Sequence, residues 1–557
     1  MNTINLLPHQ EEHVKKIWNL LTKDQVFSFI DTSQTGLGKT FTSLSLAKEL
    51  QSKYKTKIMI VAPSDASLNN DDGWLAHSKK YGIEIKIATT YSSLRGNQGS
   101  VSHPWLIPNK NNKKKWIVSK EFEELCQQGL FIIFDEFHHT KNPSISHFAC
   151  AALVKTAKKY RKYCRVALLS HTPGDKRENY PQILRMTGLI TSTKMFKHIA
   201  FTSEYETQNY GLGELAKVCS NLRPERKNEI YGMLKQMSKN RSYVICKDLY
   251  EKYIRNIITF AMPLPSEKKT KTILLNAFLE TDEESLKLVE QGINILSGAV
   301  NWNANNQQVG AAATWNISNI GTGLKIIERG KLFTMARYIN NEVKKHPNKK
   351  FVISCGARGI ENHEILSEIV FRSSTPEDYK DIIGELREKN ENWRKLPKDM
   401  INYISGMLND KIKPKVLNGK TNKKDRIKII REFQEDTNKS WCLIISPGIG
   451  SESISLHDTH GNRPREILII PDYYHSRLIQ SSGRVNRIGM KSDAKVMMVY
   501  SKEADLETSI LNSMLRKTRV ARDLIAEDQE VMFPGEFPFY IEGKKDPDLE
   551  MRLDMLH

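Results

Sequence analysis

Long apolar runs are missing from this sequence. None approaches the roughly 18 residues that a bilayer-spanning helix needs; the longest, such as 130–134 (LFIIF) and 467–470 (ILII), are strand-sized. The opening MNTINLLPHQEEH has neither a basic leader nor an apolar stretch, so no secretory signal is expected and a cytoplasmic location is. The seven cysteines (Cys126, Cys150, Cys164, Cys219, Cys246, Cys355, Cys442) form no CxxC pair, which argues against a disulfide framework and against structural zinc. Acidic residues are in deficit. Lys and Arg number 84 against 64 Asp and Glu, a net charge of +20 that favours a polyanionic partner. At 557 residues the chain is too long for one core, so two or three domains are expected.

The first positive signal is a glycine loop. Residues 26–33 (VFSFIDTS) read as a β-rich run, QTGLGKT follows at 34–40, and FTSLSLAKELQ then has helical period. Strand, glycine loop and helix is the order that a phosphate-binding loop requires. In the loop Thr35, Gly36, Leu37, Gly38, Lys39 and Thr40, the two glycines let backbone N–H groups approach phosphate. Lys39 would reach the β- and γ-phosphates of ATP, and the Thr40 hydroxyl would ligate Mg²⁺. The full GxxxxGKT pattern begins with glycine; Ser33 stands in that place.

A second apolar strand, 130–134, runs into Asp135, Glu136, Phe137 and His138. Carboxylates at the carboxyl end of a buried strand are placed to serve a nucleotide–metal complex. Asp135 would hold Mg²⁺ through its water shell, and Glu136 would orient the attacking water. His138 has no other metal ligands near it in sequence, so coupling the nucleotide site to the partner half is the better expectation.

The tetrad followed by HTKN (135–142) resembles the DEAH-x-x-KN signature of Swi/Snf-type ATPases, a branch of helicase superfamily 2. Other segments resemble the family's motifs in the same order. LLPHQEEHVKKIW (6–18) is similar to its opening segment, in which a glutamine, here Gln10, reads the adenine edge. IMIVAPS (58–64) and TTYSSLR (89–95) resemble motif Ia and the segment after it. ALLSHTPG (167–174) resembles motif III, with His171 where a small residue is usual. FVISC (351–355) is similar to the opening strand of a second RecA unit. SPGIGSESISLHD (446–458) resembles motif V, with Ser451 and Ser455 replacing a usual glycine and asparagine. QSSGRVNRIGMKSDAKVMMVY (480–500) resembles motif VI, with Met490 for a usual glutamine. The resemblance implies that Arg484 and Arg487 reach the γ-phosphate across a cleft, where such arginines contribute roughly 10³ to 10⁵ in rate.

An α/β fold of two RecA-like parallel-sheet lobes is therefore expected, with a helical insertion and a C-terminal helical brace. The composition places an N-terminal ATP-binding lobe at 1–195, a mostly helical insertion and linker at 196–325, a C-terminal lobe at 326–510, and a brace and tail at 511–557. The polar stretch 301–319 reads as a loop, and 371–412 as a charged helical interruption. Three basic clusters, 110–116, 155–165 and 411–431, are candidates for phosphate contact. Trp105 and Trp116 would either stack on bases or pack their loop onto the lobe.

The resemblance implies a motor driven by ATP and Mg²⁺ that tracks along nucleic acid, DNA favoured over RNA. A place in a transcription or replication complex would fit, and the usage of Asn, Lys and Ile resembles helicase-like NTPases of large DNA viruses, phages or linear plasmids, which would place it in a virion or viral factory. Two alternatives stay open: an RNA-directed or transcription-coupled NTPase, and a nucleic-acid-binding assembly subunit with weak hydrolysis.

Overall fold

The strand segments of this chain are apolar at nearly every position, not at every second one. Strands that read so are buried on both faces, which is the condition of a parallel sheet sandwiched by helices. The computed structural model has this architecture. It describes residues 4–70, 72–96, 103–109, 116–192, 211–235, 242–263, 270–276, 328, 331–332, 334–355, 400–408, 412, 414–418, 421–436, 441–445, 454–470, 475–487, 489–500 and 505–526. The loop at 301–319, the basic run 110–115, most of 371–412, the first part of motif V with Ser451, and the tail from 527 lie outside the described residues. The chain divides into two units: Met1–Pro265 with Lys517–Gly535, and Ser266–Arg516 with Glu536–His557.

The first unit holds six parallel strands: β1 (Ser28–Asp31), β2 (Lys57–Ala62), β3 (Ile87–Thr90), β6 (Leu130–Asp135), β7 (Arg165–Leu169) and β8 (Thr259–Phe260). A separate antiparallel pair is made by β4 (Leu106–Pro108) and β5 (Trp116–Val118). The six-stranded order is β3-β2-β6-β7-β1-β8. Alternate residues of one strand feed opposite cores. Ile58, Ile60, Phe131 and Ile133 pack on one side, and Met59, Val61, Ile132 and Phe134 on the other. Helices α1 (Pro8–Thr22) and α2 (Lys39–Tyr54) cover the first of these faces, and α3 (Trp74–Tyr81) joins them there. Helix α4 (Ile145–Lys159) and the helices Gly211–Leu222 and Ser242–Tyr253 cover the other.

The second unit is also a six-stranded parallel sheet, ordered β11-β12-β10-β13-β14-β9. Its strands are β9 (Thr270–Asn276), β10 (Lys350–Ser354), β11 (Pro414–Leu417), β12 (Cys442–Ile445), β13 (Arg465–Ile469) and β14 (Ala494–Tyr500). Helix α5 (His475–Ser482) follows β13, and α6 (Asp505–Leu524) follows β14. Among the described residues no helix is long and apolar enough to cross a membrane.

Candidate nucleotide site

Sheet register decides what meets at the carboxyl edge of the first unit. Leu169, at the end of β7, is the partner of Asp31 on one side and of Asp135 on the other. Three strand ends are therefore level, and the loops after β1, β6 and β7 emerge side by side. In open α/β sheets this edge is where ligands bind.

The loop after β1 is held by its own chemistry. Gly36 and Gly38 have φ of 92° and 91°, a region that side chains avoid. A Cβ on Gly38 would come within 2.3 Å of the Gln10 amide nitrogen, so a side chain there would push the Gln10 amide out of its place against the loop. Gln10 donates to the Leu37 carbonyl at 2.9 Å and accepts from the Leu7 N–H at 3.0 Å. In this structure its amide nitrogen braces the loop while its oxygen caps the start of helix α1. Lys39 Nζ donates to the carbonyls of Ser33 (2.6 Å) and Gln34 (3.2 Å). Those bonds hold the ammonium over the loop in the position from which phosphate oxygens would take it. Ser33 puts to use the hydroxyl that a glycine lacks: its Oγ accepts from the Met262 N–H at 2.8 Å. Below the loop, buried Asp31 accepts from the Ser33 N–H and pairs with His13 Nε2 at 3.1 Å. Burial pushes the Asp31 carboxyl upward, but His13 and Lys39 outweigh it and the net direction is down.

The two carboxylates after β6 are set apart by their partners. Asp135 accepts from Trp74 Nε1 at 2.9 Å, while Tyr91 donates to its carbonyl at 2.9 Å. Burial first, and the adjacent negative Glu136 second, push Asp135 up to about 7. Burial pushes Glu136 the same way, but the hydrogen bond and charge of His138, together with Lys39, reverse it and hold the carboxyl at about 2. Glu136 sits in left-handed backbone (φ 50°, ψ 49°), a conformation that costs a non-glycine residue on the order of 1 kcal/mol and clusters at functional sites. His138 Nδ1 lies 3.2 Å from Glu136 Oε2 and 3.0 Å from Ser170 Oγ, linking the segment after β6 to the one after β7. A second link is made by the KN pair. Lys141 bonds Asp175 at 2.8 Å, and Asn179 donates to the Lys141 carbonyl and to Asn142.

The donor set fits a divalent cation. Asp135 is a carboxylate raised by desolvation first and by neighbouring Glu136 second, and half-buried Thr40 opens helix α2 at the same sheet edge. Trp74, Tyr91 and His13 were not among the site residues read from sequence. Each touches the site across a long sequence separation, and no local spacing marks it.

The arginines of the second unit lie just after α5. Arg484 is buried and donates to the Ile454 carbonyl at 3.2 Å, while Arg487 donates to the Gly483 carbonyl at 3.4 Å. Arg484 thus ties the turn after α5 to the segment that resembles motif V, which also donates back from Leu456 N–H to the Arg484 carbonyl.

Two comparisons bear on the family. The family model for the res subunit of type III restriction enzymes matches residues 3–175, which contain Gln10, the glycine loop, the carboxylate pair and the segment after β7. A protein of Acanthamoeba polyphaga mimivirus, provisionally named as an ATP-dependent RNA helicase, is 23% identical over 525 residues, 92% of this chain and 82% of that protein. These matches make the chain similar to superfamily 2 helicases. That likeness supports an ATP-hydrolysing enzyme. Among solved structures, the Sulfolobus solfataricus SWI2/SNF2 ATPase core in complex with dsDNA matches at 17% identity and a TM-score of 0.26, over 94% of this chain and 97% of that one. The DUF1998 helicase MrfA bound to DNA matches at 10% identity and a TM-score of 0.42, over 91% of this chain and 50% of that one. At those scores the superpositions carry no argument; the RecA-like α/β fold rests on the two six-stranded parallel sheets themselves.

The basic clusters divide on inspection. In 155–165, Lys158 donates to the Gly188 carbonyl, Lys159 pairs with Glu123 at 3.4 Å, and Arg165 donates to the Leu21 carbonyl at 3.1 Å. Much of that charge is engaged in holding the first unit together. The cluster at 411–431 runs over β11 and into helix Lys423–Gln434. Trp105 and Trp116 pack against the core of the first unit.

Proposed function

We propose that this helicase-type enzyme is an ATP-driven motor whose track is duplex DNA. The observation that carries the motor reading is the level row of Asp31, Leu169 and Asp135, which brings the phosphate loop and the Asp135–Glu136 pair to one edge of one sheet. On this reading Lys39 leaves the Ser33 and Gln34 carbonyls for the β- and γ-phosphates, and the N–H groups of Thr35 to Thr40 cradle them. Glu136, kept ionised by His138, orients water toward the terminal phosphorus. Asp135 and Thr40 would hold Mg²⁺, which when bound neutralises charge on the phosphate oxygens. Arg484 and Arg487 would add positive charge from the second unit. The four-part division of the chain at 195, 325 and 510 is part of the same proposal.

The duplex preference rests on the Lys141–Asn142 pair, which in this chain clamps the segment after β6 to Asp175 and Asn179. That pair is the feature shared with Swi/Snf-type ATPases. An RNA track is the second reading, favoured by the name of the mimivirus relative. Steady-state ATP hydrolysis, measured without nucleic acid and with single-stranded DNA, duplex DNA or RNA, separates them. Duplex DNA is expected to stimulate most, and Glu136→Gln to bind ATP without turnover. Stimulation by RNA alone would move the assignment to the second reading, and a Glu136→Gln variant as fast as wild type would sink the motor reading.

A further inference from the structure

His171 occupies a place where the motif that this segment resembles carries a small residue, and the sheet register shows how consequential that place is. Ser170 and His171 follow Leu169 directly, between the strand end that carries the phosphate loop and the strand end that carries the carboxylates. The imidazole is 4% exposed. Its Nδ1 lies 3.2 Å from the Thr32 carbonyl oxygen at the root of the phosphate loop. A carbonyl oxygen only accepts, so Nδ1 must carry the proton. That fixes the tautomer: Nε2 is a bare acceptor. Among the described residues Nε2 has no hydrogen-bond partner, although it is fully buried. Buried acceptors left in that condition are rare and costly.

The surroundings say what kind of partner suits it. Burial first, and then the positive charge of Lys39, hold the imidazole down at about 4, while Glu136 acts on it in the opposite sense. The ring is therefore neutral near pH 7, and it is close enough to both groups to feel their charge. A neutral nitrogen lone pair repels phosphate oxygens, which are acceptors themselves. It attracts an O–H group. On the reading that nucleotide draws Lys39 away from the Ser33 and Gln34 carbonyls, the O–H species suited to Nε2 is water.

We propose that His171 Nε2 accepts a hydrogen bond from the water that attacks the terminal phosphate, making His171 a second water-orienting catalytic residue beside Glu136. The water oxygen forms the new bond to phosphorus, and the bond from phosphorus to the bridging oxygen breaks. Its electron pair leaves with the diphosphate, and the water's proton passes by way of Glu136 to the product phosphate and solvent. His171 gives up and takes no proton; it fixes one lone-pair direction of the nucleophile. The proposal rests on the ATP-hydrolysis reading of this site.

The test uses the full chain and three variants. His171→Asn keeps an amide donor for the Thr32 carbonyl but has no atom at the Nε2 position. His171→Ala installs the small residue usual in the family. His171→Gln offers an amide oxygen near the Nε2 position. ATP hydrolysis is measured at saturating nucleic acid, and binding of a fluorescent ATP analogue is measured separately. The expected result is a fall in kcat of about tenfold in the Asn and Ala variants, the size of one lost hydrogen bond to a charged transition state, with KM and analogue affinity changed less than about twofold. The Gln variant should recover a large part of kcat. Unchanged kcat in both Asn and Ala variants would overturn the assignment, as would losses that Gln fails to restore or that appear in KM. A wild-type chain that hydrolyses no ATP under any of these conditions would overturn the hydrolysis reading itself, and the His171 assignment with it.

Discussion

The two sheets of this protein are built alike and use their buried charge at opposite ends. In the first unit Asp31 and Asp135 end their strands, and Glu136 follows directly. In the second unit Lys350 and Arg465 begin β10 and β13, pair with each other in register, and are fully buried. Lys350 donates to the carbonyls of Phe433 and Glu435 at 2.7 and 2.6 Å. Arg465 donates to the carbonyls of Leu456 and Arg463 and to Gln434. Glu466, next along β13, gathers Lys349 at 3.1 Å and Lys495 at 3.4 Å. The carboxylates at carboxyl ends border the proposed nucleotide site, whereas these cations at amino ends meet loop carbonyls of their own unit and act as struts. The difference separates residues whose loss costs turnover from residues whose loss costs the fold.

Substitutions can break that comparison. The largest effect is expected from Lys39→Ala, with ATP hydrolysis falling by on the order of 10³ while the thermal unfolding midpoint barely moves. A large drop in that midpoint with hydrolysis retained would place Lys39 with the struts. Arg465→Ala should do the reverse. It leaves two carbonyls and Gln434 without a buried donor, a loss of roughly 3 kcal/mol in the second unit. Hydrogen exchange read peptide by peptide in the full chain would show whether the loosening is confined there.

The mildest test is acid. Burial first, and nearby positive charge second, hold the buried His147 and His171 of the first unit down at about 4. A histidine whose folded value lies below the unfolded one favours the native state above about 6.5, and that contribution is lost as pH falls toward 4. By pH 5 each would withdraw roughly 2 kcal/mol. Among the described residues the second unit has one histidine so depressed, His457. Exchange protection should therefore fail first in the first unit between pH 6.5 and 5, and simultaneous failure would mean that the buried histidines do not set acid stability.

The reach of the sequence follows the same division. Strands buried on both faces advertise themselves as unbroken apolar runs, which is why β1 and β6, and the loop and carboxylates that end them, were legible. The contacts that tune those groups were not. Trp74 meets Asp135, and His171 meets Thr32, across separations at which no periodicity operates. A helical insertion was legible in 196–325, but amphipathic period does not say which sheet a helix will cover; Gly211–Leu222 packs on the first unit, and so does Ser242–Tyr253, a helix in a stretch whose sequence reads as a linker. The tail helix is similar. Its Leu524 carbonyl accepts from Tyr250, and Asp523 pairs with Lys247, both in the first unit.

The root of the phosphate loop is also an anchorage. Thr32 donates its N–H to the Phe260 carbonyl at 2.8 Å, and Ser33 receives the N–H of Met262. Pro265, three residues on, is where the chain leaves the first unit. The backbone that would seat the phosphates is thus fastened by hydrogen bonds to the last strand of its own sheet and to the residue two places beyond it, so the root of the loop and the edge of the sheet form one piece.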